Sequence, residues 1–113
     1  GVHLDSVVTF GSPRTGNPSF AQWYDRVVYN FTRYAFRVTH YRDPIIHLPP
    51  INYFISFRHV PREVFFSAET GDVHTICDGS GEDTRCSWGY TPLPSSRDHL
   101  DYMGMRLGSD ICQ

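Results

Sequence analysis

Asp43 and His99 are the two residues whose type and setting could do chemistry together. A carboxylate that accepts from an imidazole fixes its tautomer and stabilises the imidazolium, turning the pair into a general base for a hydroxyl nucleophile. Asp43 lies a few residues past an expected strand and is followed by Pro44-Ile45-Ile46-His47-Leu48-Pro49-Pro50, an apolar run stiffened by proline. Such a wall would partly dehydrate a carboxylate and would also contact an apolar substrate; Ile45, Ile46 and Leu48, with Leu100, are the candidates for that contact. The plainer alternatives are a turn aspartate before a proline and aliphatic side chains that simply fill the core. Asp98 and Asp101 flank His99, but neighbours along a helix point apart, so Asp43 is the preferred acid. No G-x-S-x-G occurs in the chain: Gly79-Ser80-Gly81 lacks the spacing. The nucleophile is therefore not legible here.

The other five histidines have ordinary explanations. His3, His40 and His74 sit on or beside expected strands, where packing or a surface position accounts for them, and His47 and His59 flank the proline-rich loop as supporting groups at most. A metal site from His40, Asp43 and His47 would need helical spacing, which Pro44 and Pro49 oppose. No metal and no cofactor are expected.

The elements that must position Asp43 and His99 read as follows. Val7-Val8-Thr9-Phe10 is a short β-rich run ended by Gly11. Asn17 and Pro18 supply an N-cap and a first-turn proline for a helix over 18–29, with Phe20, Trp23, Tyr24, Val27 and Val28 forming one apolar stripe. Residues 35–39 read as a second strand, completing a βαβ unit with a parallel sheet and a right-handed crossover. Function in such a sheet gathers in loops beyond the carboxyl ends of the strands, which is where Asp43 falls. Residues 40–50 hold three of the eight prolines and cannot be regular throughout. An antiparallel hairpin is expected over 63–76, turning at Glu69-Thr70-Gly71-Asp72. A proline-containing loop over 91–96 leads into a short helix from about 96, carrying His99, Tyr102, Met103 and Leu107.

At 113 residues the chain is one domain at most, with 40% hydrophobic and 15% aromatic residues to build a core. The net charge of -2 gives no basic footprint for nucleic acid, and no apolar run is long enough for a membrane span. Cys77 and Cys86 bracket a polar, turn-rich segment that could close as a disulfide, or remain as thiols; Cys112 is then odd and implies a partner elsewhere. Asn30-Phe31-Thr32 is an acceptor sequon, and with the cysteines it suggests secretion. The first residues are neither a signal peptide nor a cap, and read like the interior of a longer chain.

Four ordered segments carry a family resemblance over nearly the whole chain. The run Val8-Thr9-Phe10-Gly11-Ser12-Pro13-Arg14-Thr15-Gly16-Asn17 resembles the (T/Y)-x-G-x-P-R-x-G-(N/D) segment of class 3 (fungal-type) lipases. Phe36-Arg37-Val38-Thr39, followed by His40-Tyr41-Arg42-Asp43 and the proline-rich wall, looks like their (F/Y)-R-V-T-x-x-x-D-x-V-P-x-L-P-P. Phe57-Arg58-His59-Val60 is similar to their aromatic-x-H segment, and Asp98-His99-Leu100-Asp101-Tyr102-Met103-Gly104 to D-H-L-x-Y-F-G. The cysteine segment thirteen residues before His99, and a cysteine near the end, also recur in fungal members. Ile46 stands where the family often has proline, and His47 precedes the Leu-Pro-Pro. The resemblance implies the C-terminal part of an α/β-hydrolase spanning 1–113, with Asp43 and His99 as acid and base of a Ser-His-Asp triad. The serine elbow, lid and oxyanion-hole residue would lie upstream, on an N-terminal remainder of the same protein. It implies a secreted carboxylic ester hydrolase acting on lipid, a triacylglycerol lipase first. The alternatives are a feruloyl-type esterase on the same scaffold, or an incomplete chain that binds lipid or a partner without catalysis.

Overall fold

A computed structural model of the chain describes residues 3–52, 54, 56–68, 73–90 and 93–108. Its main sheet has four strands in sequence order: β1 (Ser6–Phe10), β2 (Tyr34–His40), β3 (Glu63–Phe66) and β4 (His74–Ile76). The first three run parallel, and β4 returns antiparallel to β3 with Val64 opposite Ile76. The hairpin expected over 63–76 is thus present, while the turn assigned to 69–72 lies outside the described residues.

Between β1 and β2 runs α1 (Pro18–Phe31), two residues longer than the sequence pattern predicts. Asn17 caps it by accepting from the Phe20 N–H at 2.8 Å, satisfying a first-turn donor that has no partner inside the helix. At the far end the Thr32 N–H and hydroxyl both bond to the Val28 carbonyl, at 2.9 and 2.7 Å, so the helix continues until this cap closes it. Asn30 is exposed in the last turn. The expected apolar stripe is only half used: Ala21 is buried and Tyr24, Val27 and Val28 are half-buried, but Trp23 keeps 56% of its surface.

Part of one side of the sheet, on β1 and the start of β2, is likewise uncovered. Ser6, Val8 and Phe10 of β1 and Tyr34 and Phe36 of β2 are exposed, with Val8 directly opposite Phe36. Alternation along a strand places these residues on one face. β1 is also the outer strand of the sheet.

The interior is built from Val38, Ile46, Val60, Phe65 and Tyr102 and from an unusual share of buried polar groups. Arg37 and Glu63, neighbours across β2 and β3, form a buried ion pair at 3.1 Å. Thr39 and the Ser87 N–H also donate to Glu63, while Arg37 donates to the carbonyls of Val60 and Gly81. Every carboxylate oxygen is engaged, as a buried charge requires. Cys77 and Cys86 form a disulfide that closes a loop against this pair.

The end of the chain corrects one expectation. The helix predicted from about 96 is a single turn, α2 (Ser96–His99), followed by a two-strand hairpin of β5 (Asp101–Tyr102) and β6 (Met105–Arg106). Met103 and Gly104 both take positive φ, at 54° and 73°, and reverse the chain. The expected helix past His99 gives way to a tight turn that Gly104 supports.

Candidate active site

β2 delivers the chain to His40 at its carboxyl end, and the backbone then turns through Tyr41 at φ 34°. The Asp43 N–H bonds to the His40 carbonyl at 3.0 Å, and Asp43 Oδ1 accepts from the Ile45 N–H at 2.8 Å. An aspartate bonding the amide two residues on is an Asx-turn, here opening a 3-10 turn over Ile45–His47. The local sequence therefore aims the carboxylate itself, and Asp43 is fully buried.

His99 ends α2, which is tied to the acid loop by three bonds: Ser95 N–H to the Arg42 carbonyl (2.9 Å), Arg42 N–H to Asp98 Oδ2 (3.3 Å) and His40 Nδ1 to the Asp98 carbonyl (3.1 Å). Across 56 residues of sequence, His99 Nδ1 then meets Asp43 Oδ2 at 2.9 Å. Its side chain retains 35% exposure, and among the described residues no hydrogen bond engages Nε2. With Nδ1–H donating to the carboxylate, Nε2 carries the lone pair.

Two groups not singled out by the sequence complete the arrangement. Tyr102 is buried and its hydroxyl donates to the same Asp43 Oδ2 at 2.5 Å. Gly11, just past β1 at φ 60°, lies against all three side chains. A Cβ there would stand 3.0 Å from the Tyr102 hydroxyl and 3.1 Å from both Asp43 Oδ2 and His99 Cε1. Burial, with the bond to Asp43, pushes the Tyr102 phenol well above its usual range, so it remains a donor.

The acid loop is held from below by Arg14, His59 and Glu82. Arg14 donates through Nη1 to the carbonyls of His47 and Pro49 and through its other two nitrogens to both oxygens of Glu82. His59, read from sequence as a supporting group at most, is buried with Nε2 against the Ile46 carbonyl and Nδ1 against that of Gly81. Burial alone would raise the Glu82 carboxyl, but hydrogen bonds from His59 and Arg14 outweigh it and hold the group at about 2. His47 is lowered, by burial first and then by Arg14. Among the described residues, the close group of potential metal ligands is Glu63, Cys77 and Cys86, whose sulfurs are spent in the disulfide. His40, Asp43 and His47 do not converge; His40 has both ring nitrogens against carbonyl oxygens, of Asp98 and Ala68.

Of the four aliphatic candidates, Leu48 and Leu100 are exposed at 49% and 44%, and Ile45 is half-buried. Ile46 is a correction: with no accessible surface, it packs behind the loop and offers no face to a ligand. Asp98 and Asp101 do not bond to the His99 ring among the described contacts; Asp98 is buried against Arg42 instead. Cys112 lies outside the described residues.

The family model for lipase (class 3) matches residues 3–53, and a lipase from Rhizopus niveus is 35% identical over 104 residues, 92% of this chain. The chain belongs to the class 3 lipase family. A second curated relative, a lipase from Rhizomucor miehei, is 33% identical over 100 residues, 88% of this chain. The chain spans about a quarter of the length of these relatives, 25% and 26%. Among solved structures, lipase II from Rhizopus niveus superposes with a TM-score of 0.75 at 34% identity, covering 92% of this chain and 37% of that one. A triacylglycerol lipase described as having a serine protease triad for its catalytic centre superposes at 0.74 with 31% identity, over 90% of this chain and 36% of that one. With its mostly parallel sheet, helices and antiparallel hairpin, the fold is of the α/β-hydrolase class.

Proposed function

We propose that this chain supplies the acid and base, Asp43 and His99, of a Ser-His-Asp triad in a secreted carboxylic ester hydrolase, a triacylglycerol lipase first. The observation that carries the reading is the 2.9 Å bond from Nδ1 of a partly exposed His99 to a fully buried Asp43. In that reading 1–113 is the C-terminal part of one hydrolase domain. The serine, lid and oxyanion hole come from sequence outside these residues, since the chain has no G-x-S-x-G. His99 Nε2 takes the serine proton as the hydroxyl attacks the ester carbonyl, and returns it to the leaving alcohol; Asp43 stays ionised and stabilises the imidazolium. Water then hydrolyses the acyl-enzyme by the same route. Leu48 and Leu100 line the acyl side, with Ile45 beside them.

Secretion fits the Cys77–Cys86 disulfide and the exposed Asn30 sequon, which would be glycosylated. Cys112 would pair with a cysteine upstream. The uncovered apolar face of β1 and β2 favours a second statement: the 113 residues alone are an incomplete unit without esterase activity.

A serine-directed phosphonate tests the reading in full-length protein. The native enzyme should be labelled, and His99→Ala should lose labelling by orders of magnitude; equal labelling in the two would overturn it. Turnover of a glyceride emulsion against a feruloyl ester then separates lipase from feruloyl-type esterase.

A further inference from the structure

We propose that Tyr102 is a positioning residue for this acid–base pair: its hydroxyl fixes Asp43 in register with His99 and shares the carboxylate charge on which His99 depends. The proposal rests on the triad reading. The Asp43 carboxylate accepts three bonds that together leave it no rotational freedom: Ile45 N–H on Oδ1 at 2.8 Å, and His99 Nδ1 and Tyr102 O–H on Oδ2 at 2.9 and 2.5 Å. A buried tyrosine needs only some acceptor; this one uses the oxygen that His99 uses, at the length of a charge-assisted bond. Its ring is fixed by elements other than its own. Phe10, at the end of β1, meets it edge-on at 5.8 Å, and His40, at the end of β2, at 5.6 Å. The Met103-Gly104 reversal directs Tyr102 inward.

The consequence has a sign. A second donor on Oδ2 withdraws charge from the bond to His99, so the imidazolium is held less tightly than by a carboxylate serving it alone. Removing the hydroxyl should raise the basicity of His99. Among the described residues, other charged or titratable groups near the pair include Arg37 and His40 of β2, His47 of the 3-10 turn, Arg42 with Asp98, and Arg97 and Asp101, which adjoin His99 in sequence. All of them remain when only the hydroxyl is removed.

The experiment is the pH profile of kcat/KM in full-length protein. Tyr102→Phe keeps the ring and should move the acid limb upward, with kcat lowered on the order of tenfold and KM within about twofold. Replacing Tyr102 by 3-fluorotyrosine, whose more acidic hydroxyl donates more strongly, should move the limb the other way; this variant decides the matter if Tyr102→Phe does not fold. An acid limb that stays in place, with kcat unchanged, overturns the proposal. His99→Ala is the control: turnover retained there sinks the triad reading, whereas an inactive His99→Ala beside an unshifted Tyr102 variant sinks only the role of Tyr102.

Discussion

Arg14 and Glu82 form a bidentate pair, with Nε to Oε1 and Nη2 to Oε2 both at 2.9 Å, that joins the segment after β1 to the disulfide loop. The remaining Arg14 nitrogen bonds the carbonyls of His47 and Pro49, so one guanidinium holds both the disulfide loop and the acid loop. Arg14→Met would take one of two groups of donors from the Glu82 carboxylate, leaving it to His59, and remove the Arg14 side-chain donor from two carbonyls. Breaking a buried pair by removing one partner costs about 3–5 kcal/mol. The denaturation midpoint of full-length protein should fall accordingly; an unchanged midpoint would mean the clamp contributes nothing.

The same pair makes a pH prediction. Glu82 is held at about 2 in the folded chain, below its ordinary 4.5. A depressed carboxyl binds fewer protons folded than unfolded, so its contribution is complete above about 4.5 and declines as pH falls toward 2. Glu82→Gln should be less stable near neutral pH and lose less stability on acidification between those values. Parallel stability curves for the two proteins would contradict this.

Gly11 makes the most compact prediction at the site. Its φ of 60° disfavours a side chain, and an added methyl would press on Tyr102, Asp43 and His99 together. Gly11→Ala should lower kcat on the order of a hundredfold or more, since small misplacements of reacting groups are costly. Steady-state kinetics check this; a variant with native kcat would show that the three side chains can shift without loss.

The disulfide contributes at a distance. Closing a loop of this size stabilises by about 2–3 kcal/mol in the chain-entropy model. Cys77→Ser with Cys86→Ser should lower the melting temperature, and through Glu82 and Arg14 it should loosen the acid loop, so kcat falls as well. A fall in melting temperature with kcat intact would confine the disulfide to stability.

Most of the frame was legible because it follows from local patterns. Asn17-Pro18 announced the helix start, β-branched runs marked the strands, and Asp43 before Pro44 marked the turn beyond β2. Asp43 and His99 were legible from loop position and from family resemblance, not from spacing, since 56 residues separate them. The hairpin after His99 was missed because the segment was read as one helix carrying His99, Tyr102, Met103 and Leu107, while the positive φ at Met103 and Gly104 reverses the chain. That error concealed Tyr102, whose inward direction depends on the hairpin. Arg14 was invisible as a clamp because the three partners of its side chain, His47, Pro49 and Glu82, come from two loops far along the chain. The burial of Ile46 was missed for a related reason: an apolar loop residue can face a ligand or the core, and sequence does not distinguish them.

The most direct test of the Asp43–His99 pair is turnover by full-length protein carrying Asp43→Asn or His99→Ala, with folding verified by circular dichroism. Each should retain its fold and lose kcat by a factor on the order of 10³ or more. Near-native turnover in either folded variant would contradict the account.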